Sequence, residues 1–323
     1  MSDVLMSDLL EPPGREDVTP TYYDRPLLKG PNWGWSVVTY LFLGGLMGGL
    51  GLIQLLADSS DPNERMLKRT ARVSAFILAA ANPAILTSHL GRPERFLHML
   101  RIAKLKSPMS VGVWGLVLYS GAAGANTIRE LAVSGALPRW MRFLAPGFLA
   151  PLQALLGGYI ASYTGVLLSA TANPLWSSGK RHIPAAFVAS GLTSACALSN
   201  LLSILEGNDR VTRRLERLEM IAGATELAIL THFEKHAGYY GKPLFTGARG
   251  ERLRTYTRGV GILAPMALNI LGTVLPLPKP VDAVRGAIAS VLTLVGGYIL
   301  RESMIEAGKD SARDPRAAFV QPA

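Results

Sequence analysis

Cysteine and charge are both scarce in this chain. Its single cysteine, Cys196, lies inside an apolar run. That excludes an internal disulfide, a thiolate-held iron–sulfur cluster and a cysteine-based zinc site, and Cys196 reads as a small packing residue. Charged residues make up 17% of the 323, against about 25% in a soluble domain, and the deficit points to a membrane. Polar tails and loops dilute the apolar runs, which keeps the mean hydropathy at +0.25. Met1–Lys29 has no apolar core; it is acidic and punctuated by proline, so no cleavable signal is expected there and the first apolar run would serve as an uncleaved one. No P-loop, zinc-ligand set or nucleophile triad is present, and no metal site is expected.

A net charge of +10 could indicate nucleic acid, but the basic residues stand at the edges of apolar runs, where lipid headgroups would meet them. No nucleic-acid partner is expected, and membrane lipid is. Spanning ~30 Å of hydrocarbon takes roughly 20 apolar residues in a helix. Eight runs qualify: about Trp33–Ala57, Leu67–His89, Pro108–Leu131, Ala145–Ala170, Ile183–Leu205, Leu215–Phe233, Gly259–Leu275 and Val284–Arg301. The sixth, carrying Glu219 and Glu226, is the least apolar. Eight spans put both termini on one side, called side A. It collects 20 of the 33 Lys and Arg residues, a weak positive-inside lean towards a cytoplasmic side A.

Three pairs of matches recur in the same order. Gly45-Leu46-x-Gly48-Gly49 pairs with Gly191-Leu192-x-Ser194-Ala195, Ala84–Thr87 with Ala228–Thr231, and Gly157-Gly158-Tyr159 with Gly296-Gly297-Tyr298, at offsets of 146, 144 and 139 residues. In register, they predict an all-α integral membrane protein of eight transmembrane helices in two four-helix bundles. An even number of helices per half makes the repeats parallel. The expected organisation is a soluble N-terminal tail over 1–32, a first bundle over 33–178, a second over 179–303 and a C-terminal tail over 304–323.

The connector Thr87–Trp114, TSHLGRPERFLHMLRIAKLKSPMSVGVW, carries His89, Arg92, Glu94, Arg95, His98, Arg101, Lys104 and Lys106 within 18 residues. Gly91 can end one helix and Pro93 open the next. Over 93–105 the apolar Phe96, Leu97, Leu100 and Ala103 recur at helical spacing, predicting a short helix in the interface plane. Arg95, Arg101, Lys104 and Lys106 either snorkel to headgroups or present a docking face to a partner.

Tyr40 and Tyr163 fall at matched depths below side A, ~10 Å and ~12 Å at 1.5 Å per residue, and His89 closes the second span near that level. They suit either an interface belt or a pocket whose hydrogen bonds hold the two carbonyl oxygens of a ring; the matched depth favours the pocket. Glu226, mid-span, is by default functional or paired, either in a proton path with Glu219 or bonded to Asn82 or Asn269. A b-type haem wants two facing histidines inside the bilayer. Of the five, His98, His182 and His236 lie in loops or at the interface and only His89 and His232, both near side A, could pair, so no haem is expected.

At LGRPERF (Leu90–Phe96) with SPMSVGVW (Ser107–Trp114), the sequence resembles the NrfD/polysulfide-reductase membrane-subunit family. Supporting stretches are Trp33–Gly49, Tyr163–Trp176 and Ser190–Leu198. The resemblance implies a multi-pass anchor in the bacterial cytoplasmic (inner) membrane, not catalytic alone and without haem or iron–sulfur cluster of its own. It would exchange electrons between a membrane quinone (menaquinone or ubiquinone) and a ferredoxin-like iron–sulfur subunit, usually with a molybdopterin catalytic subunit beyond. It also implies a quinone pocket framed by Trp35, Tyr40, His89, Arg92 and Tyr163. Relatives commonly carry an acidic residue where His89 stands. The family usually places its partners outside the cytoplasm, which would put side A outside, against the charge lean. A secondary transporter or proton-translocating module is the alternative.

Overall fold

In the computed structural model the described residues are 28–57, 60–88, 98, 100–101, 103–104, 106–144 and 146–319, with side chains to 317. All regular structure among them is helical. In chain order the elements are α1 (Trp35–Leu56), α2 (Pro62–Thr87), α3 (Pro108–Val133), a 3₁₀ helix (Arg139–Leu144), α4 (Leu149–Ser169), α5 (Pro174–Ser178), α6 (His182–Leu205) and α7 (Asp209–His236). There follow α8 (Gly238–Phe245), α9 (Gly247–Arg252), a π-helical segment (Leu253–Leu263), α10 (Ala264–Val274), α11 (Lys279–Arg313) and α12 (Pro315–Phe319). Six helices are long and apolar enough to cross a membrane: α1, α2, α4, α6, the composite Gly247–Val274, and α11. Helices α3 and α7, of 26 and 28 residues, coincide with the third and sixth runs but fall outside those six.

Several helices begin earlier than their apolar runs because polar caps start them. Asp61 accepts a hydrogen bond from Asn63 N ahead of Pro62, and Asn208 accepts one from Val211 N, each satisfying an N–H that the helix leaves open. Two departures from the sequence reading follow the same logic. The seventh span is longer than the run and carries the π-helical stretch, which hydropathy does not register. Helix α11 continues past Arg301 to Arg313, so residues 304–313, expected in a tail, are helical and bury Met304, Ile305 and Ala307.

Helix α1 is central, packed on α2, α4 and α6. A Cβ at Gly191 would stand 2.6 Å from the Gly45 carbonyl oxygen, and one at Gly49 would stand 2.6 Å from that of Gly191. Only backbone fits there, the close approach that small residues allow between membrane helices. Gly45 and Gly191, positions paired by the sequence matches, meet where α1 and α6 pack. Gly48 likewise meets the backbone of Gly157 on α4.

The two ends are built differently. On side A, Trp33 stacks on Trp176 with centroids 5.2 Å apart. Trp176 Nε1 donates to Met304 O at 2.9 Å and Asn173 Nδ2 to Gly308 O at 2.6 Å, so α5 and the end of α11 form a cap. At the opposite end, side B, ion pairs join helix starts: Arg210–Asp61 at 3.0 Å, Arg213–Asp282 at 3.0 Å, and Arg214–Glu64.

Candidate functional site

The SPMSVGVW stretch that begins α3 makes room for two tyrosine rings of α4. A Cβ at Gly112 would overlap the Tyr163 ring and one at Gly115 the Tyr159 ring. Tyr163, buried, donates its hydroxyl to the Pro108 carbonyl at 2.9 Å. Its ring lies 5.8 Å from that of Tyr159 at an interplanar angle of 28°. Tyr40, also buried, lies in the core against which Tyr159 packs and is close enough to Tyr163 to interact with it electrostatically. The matched depths of Tyr40 and Tyr163 thus correspond to one aromatic cluster.

A groove of about 290 Å³ opens on the outer side of that cluster, between α3 and α4, with Ala103 and Lys104 at one edge and Ser110, Trp114, Leu118, Leu156 and Tyr159 among its walls. Its surface is mostly carbon, but two buried polar atoms have no hydrogen-bond partner among the described residues: Trp114 Nε1 and the Tyr159 hydroxyl. Buried polar atoms are overwhelmingly paired, so two orphans at one apolar groove call for an explanation. A flat ligand bearing hydrogen-bond acceptors supplies one.

The sequence-predicted residues distribute unevenly around this groove. Tyr163 is behind its wall. Trp35, the first residue of α1, is 65% exposed on the helix exterior. His89, Arg92, Glu94 and Arg95 lie outside the described residues, as does most of the interfacial helix over 93–105. Arg101, Lys104 and Lys106 are exposed, and Lys104 stands at the groove's edge. Sequence reasoning passed over Tyr159, noted only as part of a glycine repeat, and Trp114, noted only within a motif.

A second polar feature lies among α6, α7 and α11. Glu226 is buried and accepts from Thr193 Oγ1 at 3.3 Å; its partners are Thr193 and Ser190, and neither Asn82 nor Asn269. Ser190 also accepts from Arg301, which is fully buried and donates to the carbonyls of Gly297 and Phe187, each at 3.1 Å. One turn-pair earlier on α7, Glu219 accepts from Thr293 at 2.5 Å. Between Glu219 and Thr193 sits a cavity of about 10 Å³, also lined by Asn269 and Thr293, near the size of a single water. Towards side B the series continues through Glu216, bonded by Arg285 at 2.5 Å, to Asp282, bonded by Arg285 at 2.8 Å. Arg301 and Arg285 went unnoticed in the sequence because each sits where an apolar run was taken to end.

His182, His232 and His236 gather on side A with ring centroids 5.1 Å (His182–His232) and 3.9 Å (His232–His236) apart. They stack on one another and on Phe233, with no metal-holding group among the described residues.

Residues 28–310 match the family model described as "Polysulphide reductase, NrfD". The chain belongs to the NrfD family. Similar proteins include an NrfD homolog of Haemophilus influenzae, 24% identical over 310 residues that span 86% of this chain and 94% of that protein. Protein NrfD of Escherichia coli is 27% identical over 191 residues, 52% of this chain and 58% of that protein. With its apolar helices, this NrfD-family chain is a multi-pass protein of the bacterial inner membrane. The groove and the glycines that shape it lie within the matched region.

Proposed function

We propose that this chain is the quinone-binding anchor subunit of a respiratory oxidoreductase and that the groove between α3 and α4 receives the quinone ring. The observation that carries this reading is the pair of unpartnered donors, Tyr159 Oη and Trp114 Nε1, buried in the walls of an otherwise apolar groove between α3 and α4. A quinone ring is flat and apolar with a carbonyl at each end, so it needs donors and a dry wall, and it arrives from the lipid. On reduction it takes up two electrons and two protons. In this reading Tyr159 and Trp114 hold the carbonyl oxygens, Tyr163 supports Tyr159 from behind, and Lys104 lies at the aqueous edge. The exposed Arg101, Lys104 and Lys106 of the connector would meet an iron–sulfur subunit, with a molybdopterin subunit beyond it, and His89, Arg92 and Arg95 are the connector's remaining candidates from the sequence. Eight spans in two parallel four-helix repeats accord with the Gly45–Gly191 contact between equivalent helices.

A second, compatible reading rests on the buried series in α7 and α11. Glu219 and Glu226 are bridged by a water-sized cavity between their hydroxyl partners, an arrangement that suits proton transfer through the second half. Purified membranes containing the whole complex test both readings. Tyr159→Phe and Trp114→Phe should weaken quinone turnover while the subunits still co-purify. Glu226→Gln should leave quinone binding intact and slow any proton movement coupled to turnover.

A further inference from the structure

Between α3 and α4, at the end remote from the groove, the chain turns through the 3₁₀ helix of sequence RWMRFL (Arg139–Leu144). Trp140, Phe143, Leu144 and, just beyond, Phe148 are between 52% and 74% exposed. Burying four such side chains is the usual fate of apolar surface in a folded chain, so a patch of this kind marks contact with something else. The patch runs on into Val133 at the end of α3 and Leu155 on α4, which are also exposed, so it continues the apolar outer surface of two long helices.

Two cations punctuate it. Arg139 and Arg142 are exposed and make no ion pair or hydrogen bond with a described residue; Arg142 lies over the Phe143 ring at 4.9 Å. Of the other cations at this end, Arg210, Arg213, Arg214 and Lys279 each have a carboxylate. Arg65, Arg129 and Arg217 make no ion pair with a described residue, and Arg139 and Arg142 differ from those three in standing within the apolar patch. Between Glu130 and Glu206 the sequence contains no Asp or Glu, so the segment brings no anion of its own.

We propose that this segment is an anionic-phospholipid site. Its rings lie at the boundary between acyl chains and headgroups, where tryptophan is favoured, and the two guanidiniums donate to a headgroup phosphate, which suits their planar fork. Continuity with the apolar faces of the flanking helices, together with two unpaired cations, selects a charged lipid as the occupant. The site is independent of the quinone groove.

Native mass spectrometry of the full-length protein, titrated with phosphatidylglycerol or phosphatidylcholine, tests it. Phosphatidylglycerol should be retained preferentially. Arg139→Gln with Arg142→Gln should lower its apparent affinity roughly 30-fold, the equivalent of ~2 kcal/mol at ~1 kcal/mol per basic residue near an anionic surface. Phosphatidylcholine retention should not change, and Arg210→Gln, at the same end but paired with Asp61, should alter phosphatidylglycerol binding only about two-fold or less. Equal phosphatidylglycerol affinity in the double variant would overturn the proposal. A second readout does not depend on the variants' stability: lipids brominated near the headgroup should quench the fluorescence component that Trp140→Phe removes. Absence of that quenching, with a co-purifying protein shielding Trp140, would assign the patch to a protein partner instead.

Discussion

Removing the Tyr159 hydroxyl is the sharpest perturbation of the proposed groove. Tyr159→Phe keeps the ring that stacks on Tyr163 and fits against Gly115, and the lost hydroxyl has no partner among the described residues to orphan. Protein stability should therefore stay within ~0.5 kcal/mol, as for changes that break no packing or pairing. A neutral hydrogen bond to a ligand carbonyl is worth ~0.5–1.5 kcal/mol net, which weakens quinone binding by roughly 2- to 12-fold. Gly115→Ala acts on the same site differently. Its Cβ would collide with the Tyr159 ring, so ring and hydroxyl must both move, at a strain cost of ~1–3 kcal/mol. The Gly115 variant should accordingly lose more quinone affinity than Tyr159→Phe and should also lose thermal stability. Titration of a short-chain quinone into the purified protein, followed by fluorescence or calorimetry, measures the first effect, and thermal unfolding in the same detergent measures the second. Unchanged affinity in both variants would refute the groove as a quinone site. Equal loss of stability in both would refute the geometry given to Tyr159.

Other expectations follow from the packing. Arg301→Met removes the donor to Ser190 and to two backbone carbonyls and leaves Glu226 without its buried cation; unfolding experiments should show a loss of about 3–5 kcal/mol, part of it recovered in the Arg301→Met/Glu226→Gln double variant. Gly191→Val forces apart two backbones in direct contact and should abolish accumulation of the folded protein in membranes, assayed by detergent-solubilised yield. Arg72→Met breaks the 2.7 Å pair with Glu130 and should lower thermal stability more than Arg210→Ala, whose arginine is mostly exposed and whose pair with Asp61 is worth about 1 kcal/mol or less.

The helical scaffold was largely legible in the sequence, because long apolar runs in a membrane have few alternatives to helix. Each of the eight runs overlaps a long helix, including α7, whose Glu219 and Glu226 made it the weakest candidate. Their carboxylates turn inward to Thr293 and Thr193, which is how a polar helix sits within an apolar bundle. Helix starts were less legible, since Asp61-Pro62 and Asn208-Asp209 act through backbone N–H groups that hydropathy ignores. The continuation of α11 was hidden because Arg301 looks like an end, yet it is folded into the core. At the site, depth along the helices grouped Tyr163 with Tyr40, and both are buried. Depth carries no azimuth, however, so Trp35 was grouped with them although it faces outward. Tyr159 could have been found by asking which α4 ring Gly115 leaves space for, a question of packing between helices that one strand of sequence does not pose.

Photo-crosslinking tests the location of the quinone most directly. Membranes carrying the intact complex would be illuminated with a photoreactive quinone analogue bearing a short tail, in the presence and absence of excess unmodified quinone, and the labelled peptides mapped by mass spectrometry. Label that is competed away should fall on the α3 segment containing Ser110–Leu118 and the α4 segment containing Leu156–Tyr159. Competed label confined to the α7–α11 half, with those two segments unmarked, would contradict the groove between α3 and α4 as the quinone site.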